Sequence, residues 1–409
     1  MSFQQGLSGL NAASKNLDVI GNNVANANTV GAKVARAEFA DMYAASLYGT
    51  ASNAVGIGTQ VAAVAQQFTQ GDISATSNPL DVAINGPGFF RMSQGGVTEY
   101  TRNGQFKMDK DGYLINAQGA RLTGFQADAT GNIAIGAPSD IRLTMGDIAP
   151  KVTTEAALQL NLDSRSTVPT VPFAVADPRS YSGATTVSTF DSLGREHSVA
   201  LYFAKSPTVA PGAAATWNLY GTADGASMTP SPLGTLSFDT RGALMAGSPL
   251  SISVPVGADA GGTQPVALDL SRLTQFGSAF GVTELTQNGY ASGRLAGFAI
   301  GSDGVVQARY SNGQSRPQAQ VALANFVNAQ GLAPLGGNAW AETATSGQPL
   351  VGAPGSGNLG LLQSGAVENS NIDLTAELVN MITAQRVYQA NAQTIRTQDQ
   401  VMQTLVNLR

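Results

Sequence analysis

The chain has 409 residues, enough for two to three domains, and only 12% of them are charged, where roughly 25% is usual for a globular protein. Cysteine is absent and histidine occurs once, which excludes disulfides, cysteine-ligated metal centres, thiol nucleophiles and metal sites built on two histidines. The net charge of −5 and the sparse basic residues argue against a nucleic-acid partner, and no apolar run predicts membrane insertion or a cleaved signal peptide.

The first predicted element is an N-terminal helix within residues 1–30, a stretch without proline. From Phe3 to Val24, apolar or small residues recur at alternating spacings of four and three, which is the a/d pattern of a coiled coil. We therefore expect this helix to pack along another helix. Its candidate subunit-contact residues are Leu7, Leu10, Leu17, Ile20 and Val24.

The interior of the chain predicts β-structure, because short apolar stretches alternate with turn signals such as Asn312-Gly313. One β domain is assigned to residues 71–145 together with 285–364. A second β domain, 146–284, is expected to be inserted into the first, since this stretch is richer in proline and contains runs of Thr, Ala and Val.

Two stretches have the composition of connectors. Residues 44–60 are rich in Ala, Ser, Gly and Thr, and they lie within a predicted connecting segment, 31–70. Residues 341–366 are rich in glycine and include a G-x-G-x-x-G pattern at 355–360. A nucleotide site would need a strand before this pattern and a helix opening at it, so we interpret it as a flexible joint.

The C-terminal end is predicted as a long helix within a helical segment, 365–409, because 373–409 contains neither proline nor glycine and Asn371 or Asp373 can cap it. A helix that is apolar on two faces needs neighbours on both sides. One neighbour is expected to be the N-terminal helix and the other a second subunit. The alternative is a helix pair packed on the protein's own β domain. The candidate subunit-contact residues here are Leu374, Leu378, Met381, Ile382, Tyr388, Ile395, Met402 and Leu405.

No catalytic, metal or cofactor site is predicted. The glycine in the turn 109–112 comes too early for an EF-hand loop. His197 has no nucleophile elbow in the sequence to complete a Ser-His-Asp triad. Paired carboxylates for glycoside hydrolysis stay possible, with Asp191, Glu196 and Glu284 as candidates that lack a distinguishing context.

Motifs at both ends point to a known family. The chain resembles the bacterial flagellar rod and hook family of axial proteins at residues 8–31 (SGLNAASKNLDVIGNNVANANTVG) and 377–395 (ELVNMITAQRVYQANAQTI). The interior stretches 78–90, 100–106 and 324–326 are similar to the same family. The N-terminal signature residues are Asn22, Asn23, Ala25, Asn26 and Gly31.

The resemblance implies a fold that is mainly β with terminal α-helices. The two helices would form a coiled-coil-like domain, followed by a β domain built from two chain segments with a second β domain inserted in it. Residues 37–44 and the large insertion favour the hook branch of the family over the distal rod. Ala32 departs from the pattern, since the family usually has an aromatic residue there.

The resemblance also implies a function. The chain would be a structural subunit, without enzymatic activity, that polymerises with itself into a short curved tube outside the cell and transmits torque as a universal joint. Implied partners are the distal rod, the hook cap, the hook–filament junction protein, the hook-length control protein and the type III apparatus that would export the chain. Two alternatives stay open: a distal rod subunit and, from a different class, a secreted β-rich enzyme acting on polysaccharide.

Overall fold

The computed structural model describes residues 2–42, 56–128, 130–134 and 136–407. The chain divides into two compact units. Unit 1 comprises Met1–Met145, Gly297–Arg309 and Ser315–Arg409, and unit 2 comprises Gly146–Ala296 and Tyr310–Gln314. The structure confirms a mainly β chain with a helix towards each end.

The elements follow one another in three groups along the chain. The first group, in unit 1, is α1 Ser2–Asn26, β1 Ala35–Met42, β2 Gly58–Gln66, β3 Ile73–Ala75, β4 Val82–Asn85, β5 Phe89–Gln94, β6 Val97–Thr101, β7 Lys107–Met108, β8 Leu114–Ile115, β9 Arg121–Gln126 and β10 Ser139–Asp140. The second group, in unit 2, is β11 Glu155–Asp163, β12 Gly183–Phe190, β13 Glu196–Lys205, β14 Ala215–Ala223, β15 Ala226–Ser227, β16 Gly234–Phe238, β17 Leu244–Ala246, β18 Leu250–Pro255, β19 Thr263–Asp269, β20 Thr274–Phe276 and β21 Gly281–Gln287. The last group is β22 Leu295–Ile300, β23 Val305–Tyr310, β24 Ser315–Val321, β25 Leu323–Asn325, β26 Ala333–Gly336, β27 Ala339–Ala341, β28 Leu350–Gly352, β29 Leu361–Ser364, β30 Ala366–Glu368 and α2 Leu374–Asn407.

The C-terminal helix α2 begins directly after its capping residue, Asp373. The Asp373 carboxylate accepts the backbone N–H groups of Thr375 at 2.9 Å and Ala376 at 3.1 Å, which satisfies two donors of the first turn. The 34 residues of α2 span about 51 Å at 1.5 Å per residue. Residues 366–368, expected to be helical, instead form β30 because they pair with β3.

Parts of the predicted connectors form β-strands in the described part of the chain. Within 31–70, β1 and β2 form an antiparallel hairpin, whereas residues 44–55 of the predicted connector lie outside the described part of the chain. Near the C-terminal end, β29 pairs with β4, and a Cβ added at Gly360 would lie 2.6 Å from the carbonyl oxygen of Asn85. This close packing fixes Gly360, at the end of the joint expected at residues 355–360, whereas residues 355–358 are exposed and lie in turns.

The β body of unit 1 is built on a 13-stranded sheet whose main path runs β22-β23-β24-β9-β5-β6-β27-β26. Adjacent residues of β5 point to opposite faces, as the pleat of a strand requires. Phe90 joins one buried cluster with Leu122, and Phe89 joins a second, aromatic cluster with Trp340. The Phe89 and Trp340 rings meet edge-on with their centroids 5.8 Å apart. The body is therefore packed on both faces of this strand.

Unit 2 contains two sheets that contribute to one core. The first has the order β18-β19-β11-β20 with β21 also paired to β11, and the second has the order β12-β13-β14-β16-β17 with β15 on β14. Leu160 of the first sheet and Leu201 of the second belong to the same buried cluster, together with Trp217. Because β21 pairs with β11, unit 2 extends to residue 296 rather than ending at 284.

Candidate assembly site

Helices α1 and α2 run antiparallel and approach each other through glycines. Gly6 lies against Ile395, and Gly9 lies against Asn391. A Cβ added at Gly9 would come within 2.8 Å of the side-chain oxygen of Asn391, so a larger residue there would force the Asn391 side chain to move. The structure confirms the predicted contact between the terminal helices, but it uses a face of α1 that the heptad pattern did not select.

The predicted subunit-contact residues fall into groups by exposure. The exposed ones are Leu7, Leu374, Leu378, Ile382, Tyr388 and Met402. The half-buried ones are Leu10, Leu17, Val24, Met381 and Ile395, whereas Ile20 is buried. The side chain of Leu405 lies outside the described part of the chain. The single chain therefore leaves much of the predicted contact set in water.

Apart from Leu7 of α1, the exposed contact residues lie on α2, which carries further exposed apolar residues, most of them on its opposite face. Further valines of this helix have between 47% and 71% of their side chains exposed: Val379, Val387, Val401 and Val406. Charged residues are sparse along the helix: Glu377, Arg386, Arg396 and Asp399. Burying apolar surface is worth about 25 cal/mol per Å² removed from water, so this surface favours association with another apolar surface.

A groove of about 800 Å³ lies between α1, β1 and α2. Its walls include the small residues Ala12 and Ala13 of α1, and Phe39 of β1 and Val387 of α2, which are both more than two-fifths exposed. The groove extends the apolar surface of α2 across to α1 and the β1–β2 hairpin.

Among the signature residues, Asn23 joins three elements. It is buried on α1, and its side-chain oxygen accepts the backbone N–H of Ala35 at 2.9 Å. Its amide nitrogen donates to the Ala35 carbonyl at 2.8 Å and to a Glu377 carboxylate oxygen at 3.1 Å. One side chain thereby fixes α1 to the start of β1 and to the first turn of α2.

The other signature residues shape the end of α1. The Asn26 side chain donates to the Asn22 carbonyl at 2.9 Å, and Ala25 is exposed. Gly31 has a φ of +72°, and a Cβ there would lie 2.7 Å from the backbone nitrogen of Asn103. Glycine is needed at position 31 for both the backbone conformation and the close approach.

The strongest electrostatic feature near the helices is a buried ionic cluster, the Glu368 cluster (Lys33, Arg102 and Glu368). Lys33 Nζ lies 2.6 Å from Glu368 Oε1, and an Arg102 guanidinium nitrogen lies 3.1 Å from Glu368 Oε2. Burial lowers the pKa values of Lys33 and Arg102, and the Glu368 carboxylate opposes this effect. Removing one partner of such a buried pair typically costs about 3–5 kcal/mol, because a charge is left uncompensated.

Sequence reasoning missed the Glu368 cluster. Arg102 lies inside the stretch 100–106, which carries part of the family resemblance. This is the single sequence feature that could have pointed to the Glu368 cluster. Lys33 follows the N-terminal signature, and Glu368 lies outside every motif singled out in the sequence. The lysine and the glutamate are 335 residues apart, so no local pattern connects them.

The chain is similar over its full length to curated flagellar hook proteins. It is 44% identical over 420 residues to flagellar hook protein FlgE of Escherichia coli (strain K12) and 45% identical over 418 residues to that of Salmonella typhimurium (strain LT2). Both alignments cover 100% of each chain. The chain belongs to the flagellar hook protein family.

Four family models match separate segments of this hook-family chain. Their descriptions and residues are flagella basal body rod protein (3–33), flagellar hook protein FlgE/F/G D1 domain (83–155), flagellar basal body protein FlaE D2 domain (161–290) and flagellar basal body rod FlgEFG protein C-terminal (363–408). A crystal structure of Helicobacter pylori flagellar hook protein FlgE2 has a TM-score of 0.54 and 14% identity, covering 72% of this chain and 100% of that one. At that identity the likeness shows the shared fold alone.

The carboxylates considered for glycoside hydrolysis have other roles in the hook-family chain. Asp191 is buried and accepts a hydrogen bond from Arg195 Nε at 2.8 Å. Glu284 pairs with Arg272 at 3.0 Å, and Glu196 is exposed. Asp191 and Glu284 each face a cation rather than a second carboxylate.

The described residues offer neither a metal site nor a membrane-spanning helix. They contain no group of three His, Asp or Glu side chains placed to hold a metal ion. None of their helices combines the length and the apolar character needed to cross a membrane.

Proposed function

We propose that this chain is a structural subunit of the bacterial flagellar hook that polymerises through its terminal helices. The observation that carries the proposal is its similarity, at 44% and 45% identity and over the full length of each chain, to proteins named for the hook. The family models at the two ends are described as rod proteins, so the terminal segments alone do not separate hook from rod.

The exposed apolar side chains of α2 support the proposed assembly. Leu378 and Ile382 lie on α2 with about half of each side chain exposed, while α1 covers a different strip of the helix, the one that contains Asn391 and Ile395. A long helix that is apolar on a second face is stable in water when another surface covers that face. Neighbouring copies of the same chain would supply this surface, and assembly would complete the packing of the helices.

The proposed layers of the tube rest on the family resemblance. With the boundaries that the structure gives, residues 1–30 and 369–409 would form the inner tube, 71–145 with 297–368 the middle layer, and 146–296 the outermost β domain. Contacts between outer domains would be weaker and more polar, so that they exchange as the tube rotates. The tube would then bend while it transmits torque from rod to filament, as a universal joint.

The surroundings of the subunit follow from the same proposal. The type III apparatus would export the chain to the cell exterior without a cleaved signal peptide. Besides further copies of itself, the subunit would contact the distal rod, the hook cap, the hook–filament junction protein and the hook-length control protein. Its role would be mechanical, and we assign no catalytic residue.

Assembly of the purified chain tests the proposal. Wild-type protein should form tubes that are curved in negative-stain images, and deletion of 374–409, which removes α2, should leave a folded monomer without tubes. Straight, rigid tubes under every condition would replace the hook assignment by the distal rod. Tubes formed by the truncated chain would overturn the assignment of the interface to the helices.

A further inference from the structure

Three connecting segments of unit 1 meet beside one glutamate. Residues 27–34 join α1 to β1, residues 67–72 join β2 to β3, and residues 369–373 join β30 to α2. The last segment follows Glu368 directly. These segments link the helices and the β1–β2 hairpin to the β body. The bonds that hold the segments in place therefore determine whether the helices can move relative to the β body.

Glu368 bonds to the other two segments with both its side chain and its backbone. Its backbone carbonyl accepts the N–H of Gly31 at 2.8 Å, and its Oε1 accepts the N–H of Gly71 at 2.9 Å. The same Oε1 holds Lys33, which also donates to the carbonyl of Thr69 at 2.7 Å. One buried residue thus ties the segment after α1 and the segment after β2 to the strand that precedes α2.

Arg102 adds the β body to this junction. One guanidinium nitrogen binds Glu368 Oε2 at 3.1 Å, and the other donates to the carbonyl of Gly86 at 2.9 Å. The Glu368 side chain is fully buried, and the Arg102 side chain is 5% exposed. Because water does not reach these bonds, losing one of them leaves a buried charge or a buried N–H group unsatisfied.

A second, neutral residue spans the same segments. The Asn371 side-chain oxygen accepts the N–H of Val34 at 2.8 Å, and its amide nitrogen donates to the carbonyls of Gln67 at 2.8 Å and Thr69 at 3.1 Å. Asn371 is neutral and, like Glu368, connects the segments 27–34, 67–72 and 369–373 to one another.

We propose that Glu368 is a positioning residue that locks the helices and the β body of unit 1 into one rigid joint, with Asn371 as its neutral reinforcement. Because each bond at Glu368 holds a different segment, one segment cannot move without breaking bonds to the others. Torque applied to the helices then reaches the β body without rotation at this joint. This mechanical role rests on the proposed function as a hook subunit, whereas the rigidity of the joint is a property of the single chain.

Hydrogen exchange on the full-length monomer tests the rigidity. Glu368→Gln should raise exchange at the Gly31 and Gly71 amides by on the order of tenfold or more, while the β5 and β6 amides of the body keep their rates. Asn371→Ala should raise exchange at the Val34 amide. Because this substitution leaves no charge uncompensated, the variant tests the joint even if Glu368→Gln fails to fold. The matched control is Glu284→Gln, which makes the same chemical change at the exposed pair with Arg272.

The polymer then tests the mechanical role. Tubes of Asn371→Ala and of folded Glu368→Gln should differ in curvature or bend more easily than wild-type tubes, while the Glu284→Gln control stays normal. Unchanged exchange at Gly31, Gly71 and Val34 in both variants would overturn the rigid joint. Faster exchange with normal tube shape and stiffness would overturn its mechanical role. If wild-type protein forms no tubes, the proposed function fails, while the exchange result still decides the joint.

Discussion

Unit 2 and the terminal helices place their apolar residues in opposite ways. In unit 2, both sheets direct large side chains into one core, where Leu201 and Trp217 are fully buried. In α2, Ala384 is buried, whereas Leu378 and Ile382 are about half exposed. Unit 2 packs most of its large hydrophobic residues into its own core, whereas α2 leaves most of its large hydrophobic residues exposed, where a further surface could cover them.

The difference shows which part of the molecule depends on assembly. A domain with a complete core gains its stability within the single chain. A long helix with a single helical neighbour gains only part of the burial that its sequence allows. Substitutions in unit 2 should therefore act on the stability of the monomer. Substitutions on the open face of α2, which includes Leu378 and Ile382, should act on the polymer.

The largest expected effect is the loss of assembly when a charge is placed on the open face of α2. Leu378→Asp should abolish tube formation, because the new carboxylate would be buried without a partner in the packed layer. The monomer should keep its stability within about 0.5 kcal/mol, since the side chain is already exposed. Negative-stain imaging measures the first result, and urea unfolding of the monomer measures the second.

Two further variants sharpen this prediction. Val209→Asp is the matched control, since it places the same charge at an exposed apolar residue of unit 2 and should leave the tubes intact. Ile395→Asp, against Gly6 of α1, should disturb the helix pair in the monomer as well as the tube. Normal tubes from Leu378→Asp would contradict the assignment of this face to the subunit interface.

The next largest effect is expected in the core of unit 2. Leu201→Ala removes a fully buried side chain and should lower the free energy of unfolding by about 2–5 kcal/mol, because the core collapses only partly onto the cavity. Trp217 lies in the same core, so its fluorescence reports the transition in a Trp340→Phe background, which leaves it as the single tryptophan.

The control for the core prediction is Leu193→Ala at an exposed position of the same unit, which should change stability by less than about 0.5 kcal/mol. Leu201→Ala monomers that remain folded should still form tubes. A change in tube formation as large as that of Leu378→Asp would break the division between the two regions.

The two terminal helices and their contact with each other could be predicted from the sequence, because the spacing and capping signals of a helix are local. Heptad spacing and the capping residue Asp373 lie within windows of a few turns, and the structure shows the cap and the helix pair, although α1 meets α2 through a face that the heptad spacing did not select. The glycine contacts at Gly6 and Gly9 were not predicted, because a glycine in a helical pattern has no hydrophobic signal of its own. The open face of α2 was inferred from its two-sided apolar pattern, and its contact with other subunits stays a prediction.

The joint between the helices and the body could not be found in the same way. Glu368 and Lys33 are brought together by the pairing of β3 with β30, two short strands at opposite ends of the chain. Long-range pairing also sets the boundary of unit 2, through β21 on β11. Composition predicted connectors at 44–60 and 341–366, and within the second of these β28 and β29 form through long-range strand pairing, which composition does not record.

The smallest expected effect is a pH dependence inside the self-sufficient unit, at His197. Its Nδ1 lies 2.7 Å from an Asp224 carboxylate oxygen, and its Nε2 lies 3.4 Å from Asp191. Asp191 also binds Arg195, which pairs with Asp259 at 2.9 Å. Burial lowers the pKa of His197, but the hydrogen bonds to Asp224 and Asp191 outweigh it, and the pKa lies above its ordinary value of 6.5.

The raised pKa gives the pH effect a definite sign. The charged imidazole stabilises the folded unit fully below pH 6.5, and this contribution is lost as the pH rises through the higher pKa of the folded state. Urea unfolding followed by Trp217 fluorescence from about pH 6 to about pH 9 should therefore show declining stability in the Trp340→Phe chain. His197→Gln should remove this slope, and Asp224→Asn should reduce it because one of the two carboxylates that hold the proton is neutralised. An unchanged slope in His197→Gln would assign the pH dependence to another group, and unit 2 would then owe no part of its stability to the charged histidine.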